Sequence, residues 1–271
     1  MVDLAGAGAE AERRHLTVLF CDLVGSSSLS EQMDPEDFRE LLAAYQDSCA
    51  GVVSHYDGQV ARYIGDGLLI YFGYPQAHED DATRAVRAAL DITEVVSKLE
   101  LEITLPVDAL AVRIGIATGT VVVGDIGTGT RREEMAVVGE TPNLAARLQT
   151  LAGPGEVIIA TQTLELVAGY FEIDDLGAQQ LKGISQPQGA YRVRAESGVL
   201  SRLDASARVG LTPLVGRREE IAMLHNRWTQ SLQGELHIVA LSGEAGIGKS
   251  RVVRAFREGL VDEPHSRVLY L

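Results

Sequence analysis

The chain has 271 residues and carries 24 Lys and Arg against 38 Asp and Glu, a formal net charge of −14. Such a surface repels other polyanions, so we expect no general nucleic-acid binding by this segment. Hydrophobic residues make up 46% and charged residues 23%, which is typical of a folded globular protein. No apolar run approaches the roughly 20 residues needed to cross a bilayer, which predicts no membrane span and a cytoplasmic location.

The distribution of apolar residues divides the chain into four segments. Residues 1–14 lack apolar periodicity, and we expect a disordered tail there. Residues 15–195 alternate strand-like and helical patterns, as in a mixed α/β domain. Residues 196–216 have no clear amphipathic pattern and indicate a linker, and residues 217–271 form the start of a second domain.

A central strand, a helix and a hairpin are predicted first in the chain. The run HLTVLFCDLV is apolar on both faces and places Asp22 just before a glycine and a serine cluster. Asp34 has the position of an N-cap followed by a first-turn proline, which predicts a helix through Cys49. The runs QVARYI and LLIYF flank the tripeptide GDG at 65–67, which predicts a tight hairpin.

The rest of the first domain continues the alternation. A second helix is predicted from Asp80 to about Lys98, and ALAVRIGIATG and TVVVGDIG predict two further strands. MAVVG predicts a short strand after the polar loop TGTRREE. In the helix that follows, Asn143 and Arg147 are four residues apart and therefore share a face. A strand (EVIIA), a short helix and a returning pair of strands (YFEID and GAYRVRA) complete the domain.

Two aspartates each lie where an apolar strand meets a glycine-rich turn. Taken singly, Asp22 can cap the following turn and Asp66 can be the Asp of an Asp-Gly hairpin. If the hairpin lies beside the first strand, the carboxylates converge, and their repulsion calls for divalent cations. Because magnesium prefers one or two carboxylates together with phosphate oxygens and water, the pair indicates a nucleoside triphosphate site. The turn of Gly25, Ser26 and Ser27 can offer backbone N–H groups to the phosphates.

Several motifs in a fixed order carry a family resemblance. The runs LTVLFCDLVGSSSLS, YIGDGLLIYFG, VRIGIATGTVVVGDIG, MAVVGETPNLAARLQ and LKG follow one another between His15 and Ala195. Together they resemble the catalytic domain of the class III adenylyl and guanylyl cyclases. The resemblance implies a ferredoxin-like α/β (α+β) fold with a mixed, mainly antiparallel sheet. It also implies a homodimer that converts ATP to cyclic AMP and pyrophosphate at shared sites, with Mg²⁺ or Mn²⁺, two ions per site.

The resemblance implies a role for each matching residue. Asp22 and Asp66 match the two metal-binding aspartates. Asn143 matches the asparagine that orients the ribose, Arg147 matches the arginine that stabilises the transition state, and Lys182 resembles the lysine that reaches the triphosphate. The chemistry agrees, because attack of the ribose 3′-oxygen on the α-phosphorus develops negative charge that cations must meet. Outside that motif context, a solvent-exposed helix arginine would be an adequate account of Arg147.

Three positions bear on the purine and on regulation. Arg62 and Ala136 stand where many adenylyl cyclases of this class have a lysine and an aspartate; Arg62 can only donate hydrogen bonds, and Ala136 offers no side-chain partner. The run TRREEMAVVGETPNLAARLQ is similar to the bicarbonate-responsive, soluble-type branch, which favours ATP over GTP and makes bicarbonate a further candidate ligand. Arg132 stands where that branch has a phosphate- or bicarbonate-contacting arginine, and a solvated RREE loop explains it equally well.

The second domain carries a separate phosphate-binding motif. GEAGIGKS follows LHIVAL, which predicts a buried strand, and fits the pattern G-x-x-x-x-G-K-[ST]. In such a loop Gly243 and Gly248 let backbone N–H groups wrap the phosphates, Lys249 reaches the β- and γ-phosphates and Ser250 ligates magnesium. The run LVGRREEIAML resembles the entry to signal-transducing ATPase modules. No acidic strand-end motif follows before Leu271, so we expect the truncated start of a P-loop NTPase without hydrolysis.

The sequence leaves three functions open for the first domain. They are an adenylyl cyclase, a guanylyl cyclase, and a non-catalytic nucleotide-sensing domain that regulates the attached ATPase. The presence of both aspartates together with Asn143 and Arg147 favours an active enzyme. Cys21 and Cys49 lack the spacing of a disulfide or metal framework, and we expect both to be inert thiols.

Overall fold

The computed structural model describes residues 12–99, 107, 109–126, 133–197, 216–242 and 248–260. The chain folds as two units, Met1–Ser197 and Gly198–Leu271. The elements of the first unit are β1 (Glu12–Leu23), α1 (Ser26–Gln32), α2 (Pro35–His55), β2 (Gln59–Ile64), β3 (Gly67–Phe72), α3 (Asp81–Ser97), β4 (Val112–Ile126), β5 (Glu133–Val138), α4 (Glu140–Leu151), β6 (Val157–Ala160), α5 (Thr161–Val167), β7 (Phe171–Gln179) and β8 (Gln188–Glu196).

The first unit is built on one mixed sheet. Its strand order is β2-β3-β1-β4-β6-β8-β7, and β5 pairs with β4 beyond this path. The pairing of β4 with β6 is parallel, and the other pairs are antiparallel. The succession β1-α2-β2-β3-α3-β4 is a β-α-β-β-α-β unit of ferredoxin-like type. The expected α/β fold with a mainly antiparallel sheet is therefore confirmed.

Helices cover both faces of this sheet. On one face α2, α3 and α5 pack buried side chains such as Tyr45 against β1, β3 and β4. On the other face α4 contributes Leu148 to a second apolar cluster. Successive residues of a strand point to opposite faces, so Cys21 enters the first core while Asp22 lies on the side of α4. The end of β1 is thus apolar towards α2 and polar towards α4.

The start of α2 follows the sequence expectation, and the helix packs against β1. Asp34 is the N-cap of α2, and its Oδ1 accepts a hydrogen bond of 2.9 Å from the N–H of Glu36. Cys21 and Cys49 lie together in the core as free thiols, and Cys21 Sγ is 3.3 Å from the hydroxyl oxygen of Tyr45. Burial and the two neighbouring thiols raise the pKa of Tyr45 above its ordinary value. The last residues of β1 are therefore fixed against α2.

Two strand boundaries differ from the sequence expectation. The runs ALAVRIGIATG and TVVVGDIG form one strand, β4, because Gly119 continues the pairing with β1 instead of breaking it. A Cβ at Gly119 would lie 2.5 Å from Thr141 Oγ1, so the glycine permits close packing of α4. The long β4 pairs with residues 12–14, and the predicted tail of residues 1–14 is wrong there. Residues 1–11 lie outside the described part of the chain.

The described residues of the second unit form two packed helices, α6 (Arg218–Leu232) and α7 (Lys249–Glu258). The rings of Trp228 and Phe256 meet edge to face with centroids 6.4 Å apart and pack the two helices together. Most of the linker predicted at 196–216 lies outside the described residues. Across the described ranges of both units, no helix is long and apolar enough to span a membrane.

The run LHIVAL does not form the buried strand that the sequence predicts. Residues 235–242 carry no strand pairing, and Leu236 and Ile238 are each 90% exposed. An apolar run becomes a stable strand only when neighbouring strands pair with it and cover its faces. The described part of this unit supplies no such neighbour, which explains why the prediction is wrong here.

The close packing of α4 on β4 gives a stability prediction at Gly115. A Cβ at this position would overlap the backbone of Ala145 and Gln149 in α4. We expect Gly115→Ala to lower the free energy of unfolding by about 1–3 kcal/mol or more, because two backbones must separate. Urea denaturation of the purified protein measures this change.

Gly51→Ala is the matched control. Gly51 lies in α2 with no atom within 4 Å of a built Cβ. Alanine is the better helix former there, by roughly 0.5–1 kcal/mol, so this variant should be at least as stable as the parent. Equal stability of the two variants would contradict the proposed contact between α4 and β4.

Candidate active site

Asp22 and Asp66 converge at the end of β1. Asp22 is the last residue but one of β1, and Asp66 lies in the two-residue turn between β2 and β3. Because β3 pairs with β1, with Cys21 opposite Leu68, this turn lies beside Asp22. The two carboxyl groups are within hydrogen-bonding distance. The hairpin predicted at 65–67 is confirmed, and it brings the two acidic side chains together.

The surroundings raise the pKa of Asp22. Burial contributes most, because removal from water disfavours the charged form, and the neighbouring Asp66 raises the pKa further. Arg113 acts in the opposite direction, since its Nη2 donates a hydrogen bond of 3.0 Å to Asp22 Oδ2. The guanidinium does not offset the other two effects. A cation placed at this pair would offset the repulsion between the two carboxylates.

Sequence reasoning missed two partners of Asp22. Arg113 lies directly opposite it on β4, and Gln149 of α4 donates from Nε2 to the same Oδ2 at 3.2 Å. The signal for Arg113 was present, because a charged residue between Val112 and Ile114 in an apolar strand needs a partner. Gln149 carried no such signal. A polar residue beside the buried stripe of an amphipathic helix is usual.

The serine cluster after β1 begins a short helix. Gly25 has φ 71°, in the left-handed region that glycine adopts without steric cost, and α1 follows it. The first hydrogen bond of α1 runs from the N–H of Leu29 to the carbonyl of Gly25 at 2.9 Å. The N–H groups of Ser26 and Ser27 precede this bond and have no acceptor within the helix. The backbone N–H groups of this turn are therefore not used by hydrogen bonds within the helix.

Asn143 and Arg147 lie on an exposed face of α4. Asn143 Nδ2 donates a long hydrogen bond of 3.4 Å to the carbonyl of Gly139. Gln149, which reaches Asp22, is two residues beyond Arg147, or about 200° around the helix. The face with Arg147 is therefore turned away from Asp22 of the same chain.

A cavity of about 460 Å³ lies beside this exposed face. Glu140 and Asn143 of α4 line one side, and the other side is lined by residues 183–186 and by Gln188 at the start of β8. Lys182 is exposed and immediately precedes that segment. Asn143 therefore lines this cavity, and Lys182 adjoins its lining in the chain.

The residues considered for the purine lie on different strands. Arg62 is exposed on β2, opposite Leu69 of β3. The backbone of Ala136 pairs with Gly124 at the β4–β5 ladder. Arg132 lies outside the described residues. Their contribution to base choice stays a prediction.

The phosphate loop of the second unit is described only at its end. Gly248 has φ 95° and is the N-cap of α7, and Lys249 and Ser250 are the first residues of that helix. A helix directly after the motif agrees with the predicted order of elements. Gly243 lies outside the described residues, so the wrapping of phosphate by this loop stays a prediction.

The chemistry of the carboxylate pair fits a divalent metal ion. Within the described residues, no group of three or more His, Cys, Asp or Glu forms an all-protein cage. Magnesium does not require one, since it is commonly held by one or two carboxylates plus substrate phosphates and water. Asp22 and Asp66 supply such a pair, and a bound cation would relieve the effect of each carboxylate on the other. These two residues are the candidate ligands.

Comparisons with known proteins agree with this arrangement. The model of the adenylate and guanylate cyclase catalytic domain matches residues 9–195, and that of an AAA ATPase domain matches residues 213–270. Adenylate cyclase 1 of Rhizobium meliloti (strain 1021) is 32% identical over 191 residues, which cover 69% of this chain and 28% of that protein. This chain belongs to the adenylate and guanylate cyclase catalytic-domain family. The chain spans between 14% and 28% of the length of four curated relatives that it matches.

Solved cyclase structures resemble the first unit closely and include both activities. The adenylyl cyclase CyaB from P. aeruginosa is 32% identical, with a TM-score of 0.64, covering 72% of this chain and 98% of that one. The guanylyl cyclase Cya2 is 33% identical, with a TM-score of 0.65, covering 69% of this chain and 95% of that one. Cyclase domains of this family generally depend on divalent metals. The choice between ATP and GTP does not follow from overall similarity.

Repulsion within the carboxylate pair predicts opposite effects on stability and metal binding. Asp66→Asn removes one of two adjacent negative charges, so without divalent cations we expect the free energy of unfolding to rise by up to about 1 kcal/mol. Addition of Mn²⁺ should raise the melting temperature of the parent protein through binding to the folded state, and much less that of the variant. Thermal denaturation with and without Mn²⁺ tests both effects. An equal response to Mn²⁺ would contradict the assignment of Asp66.

Proposed function

We propose that the first unit converts ATP to 3′,5′-cyclic AMP and pyrophosphate at sites shared between the two chains of a homodimer. The observation that carries the proposal is the convergence of Asp22 and Asp66 at the end of β1. A half-buried pair of carboxylates beside backbone N–H donors suits a metal-bound triphosphate. Membership of the cyclase family supplies the reaction type.

Asp22 and Asp66 would hold two Mg²⁺ or Mn²⁺ ions at each site. Bound ions there would lower the pKa of the ribose 3′-hydroxyl and neutralise charge on the triphosphate. Asp22 presents Oδ1 towards the hairpin, since a built Cβ at Gly67 would lie 3.8 Å from that oxygen. Its Oδ2 is occupied by Arg113 and Gln149. The protein therefore directs one oxygen of Asp22 towards the site.

Other side chains of the chain would bind and orient the nucleotide. Arg147 would donate to the phosphoryl oxygens, where negative charge develops as the 3′-oxygen bonds to the α-phosphorus and pyrophosphate departs. Asn143 would orient the ribose by hydrogen bonding, and Lys182 would neutralise charge on the triphosphate. The first-turn N–H groups of Ser26 and Ser27 would donate to phosphate oxygens. No covalent intermediate is needed.

The geometry of α4 supports a site shared between chains. Arg147 and Gln149 lie about 160° apart around the axis of the helix, because two residues advance by about 200°, and Gln149 is the residue that touches Asp22. Arg147 consequently cannot face the carboxylate pair of its own chain without displacing that contact. A second copy, arranged head to tail, can supply Arg147 to the pair, and two such exchanges complete two sites.

Exposed apolar side chains provide a surface for the second copy. Tyr63 and Ile64, at the end of β2 beside the Asp66 turn, are 49% and 50% exposed. Val122 and Val138 are a cross-strand pair of β4 and β5, and Val138 is 52% exposed directly before α4. These apolar groups lie beside the carboxylate pair and beside α4, and exposed apolar groups are the kind of surface that an interface covers. They favour pairing through the regions that carry the site.

The preference for ATP rests on the resemblance of residues 130–149 to the bicarbonate-responsive branch. Arg62 can donate to a ring-nitrogen acceptor of adenine, and the exocyclic amine would need a backbone carbonyl or water. Guanylyl cyclase activity is the alternative, because the chain is also similar to the guanylyl cyclase Cya2. Response to bicarbonate, and contact with it through Arg132, are proposed on the same resemblance.

A direct assay tests the proposed reaction. The purified chain, incubated with ATP and Mn²⁺, should produce cyclic AMP, and Arg147→Ala should lower kcat by about 100-fold or more because transition-state charge loses a fixed donor. GTP in place of ATP should give the lower kcat/KM. Binding of triphosphate without any cyclic product would instead indicate a nucleotide sensor, and preference for GTP would reverse the assigned substrate.

Mixing of two inactive variants tests the shared site. Asp22→Ala and Arg147→Ala chains should each be inactive as homodimers, because each of their sites lacks one group. When the two are combined, a heterodimer contains one site with Asp22 from one chain and Arg147 from the other. Up to about a quarter of parental activity should return, since random pairing makes half of the dimers mixed and each has one intact site. Absence of recovery in a confirmed heterodimer would exclude the shared site.

A further inference from the structure

Asp22 accepts hydrogen bonds from one cationic and one neutral side chain, which lie on different elements of its own chain. Arg113 of β4 donates to Oδ2 at 3.0 Å, and Gln149 of α4 donates to the same oxygen at 3.2 Å. The other oxygen, Oδ1, faces the hairpin that carries Asp66. The two donors therefore fix which oxygen is left for the site.

The amide of Gln149 reaches Asp22 because α4 lies unusually close to β4. Only a glycine at position 115 allows the backbone of Gln149 and Ala145 to approach the strand. Gly115 and Arg113 lie on the same face of β4, two residues apart, so the helix and the guanidinium meet over the end of β1. The close backbone packing thus places Gln149 within reach of Asp22, and its side-chain amide makes the contact.

We propose that Gln149 is a positioning residue that orients Asp22 for metal binding from the same chain. The inference rests on the proposed function for the identity of the ligand, and it assigns a role to a residue on the helix whose opposite face carries Arg147. A partner that hydrogen-bonds a metal-binding carboxylate fixes its orientation, and loss of such a partner typically costs 10–100-fold in metal affinity or activity. Gln149 acts through Asp22 and does not itself touch the nucleotide.

The first experiment measures binding without turnover. Gln149→Met keeps the length of the side chain and removes its donors, and Thr150→Val changes an exposed neighbour on the same helix. The probe is the Mn²⁺ complex of 3′-deoxy-ATP, which lacks the attacking hydroxyl, titrated by calorimetry. We expect the Kd to rise about 10-fold in Gln149→Met and to stay within twofold of the parent in Thr150→Val.

The second experiment separates positioning from a structural effect on α4. In the mixture of Asp22→Ala and Arg147→Ala chains, the surviving site takes Asp22 from the Arg147→Ala chain. Gln149→Met added to that chain should lower the recovered activity about 10-fold. The same change added to the Asp22→Ala chain, where no carboxylate remains to be held, should lower it less than twofold. Equal losses in both arrangements would show a role in helix packing and overturn the inference.

The outcomes distinguish this inference from the proposed function. If the parent protein binds the Mn²⁺ complex but forms no cyclic product, the proposed function fails and the change in Kd still decides the role of Gln149. If mixing the Asp22→Ala and Arg147→Ala chains restores no activity, the shared site is wrong, and the Kd measured by calorimetry still decides the role of Gln149. An unchanged Kd in Gln149→Met, or a parent protein that does not bind the complex, would overturn the positioning role.

Discussion

Two carboxylates held together at the end of a buried strand are the constraint on which the rest of the site depends. Burial and the proximity of Asp66 both raise the pKa of Asp22, so the protein alone leaves the pair short of positive charge. A fold selected only for stability would separate these groups. Their convergence, through a hairpin turn set beside β1, is the observation on which the proposed binding of cations and anionic phosphates rests.

Close backbone packing then places the remaining groups around this pair. Gly115 and Gly119 each lie where a Cβ would collide with α4, so both keep that helix against β4. One side of α4 consequently contributes Leu148 to the core and Gln149 to Asp22. The opposite side remains exposed and carries Arg147. A single packing contact therefore determines both how the carboxylate is oriented and which part of the helix is available to a partner.

The sequence predicts local turns and helix caps better than it predicts strand ends and contacts between distant parts of the chain. The hairpin at 65–67 and the N-cap at Asp34 depend on local turn chemistry, and both are confirmed. Local reasoning fails at Gly119, which looks like a strand end but serves a helix that begins over twenty residues later. It also fails for LHIVAL, because strand formation requires neighbours that no local pattern supplies. Gln149 was missed for the same reason, since its partner is distant in the chain.

Gln149 and Arg147 lie on different faces of α4, and this arrangement has a consequence for regulation. Within one chain, Gln149 connects Asp22 to α4, while Arg147 on the same helix would serve the site completed by the other chain of the proposed dimer. Any rotation of α4 that improves the approach of Arg147 to one site must also move Gln149 relative to Asp22 at the other. The two sites of the proposed dimer are therefore mechanically linked through a helix of 12 residues. A change that reorients the two chains would act on orientation of the metal ligand and on transition-state stabilisation together, rather than on either alone.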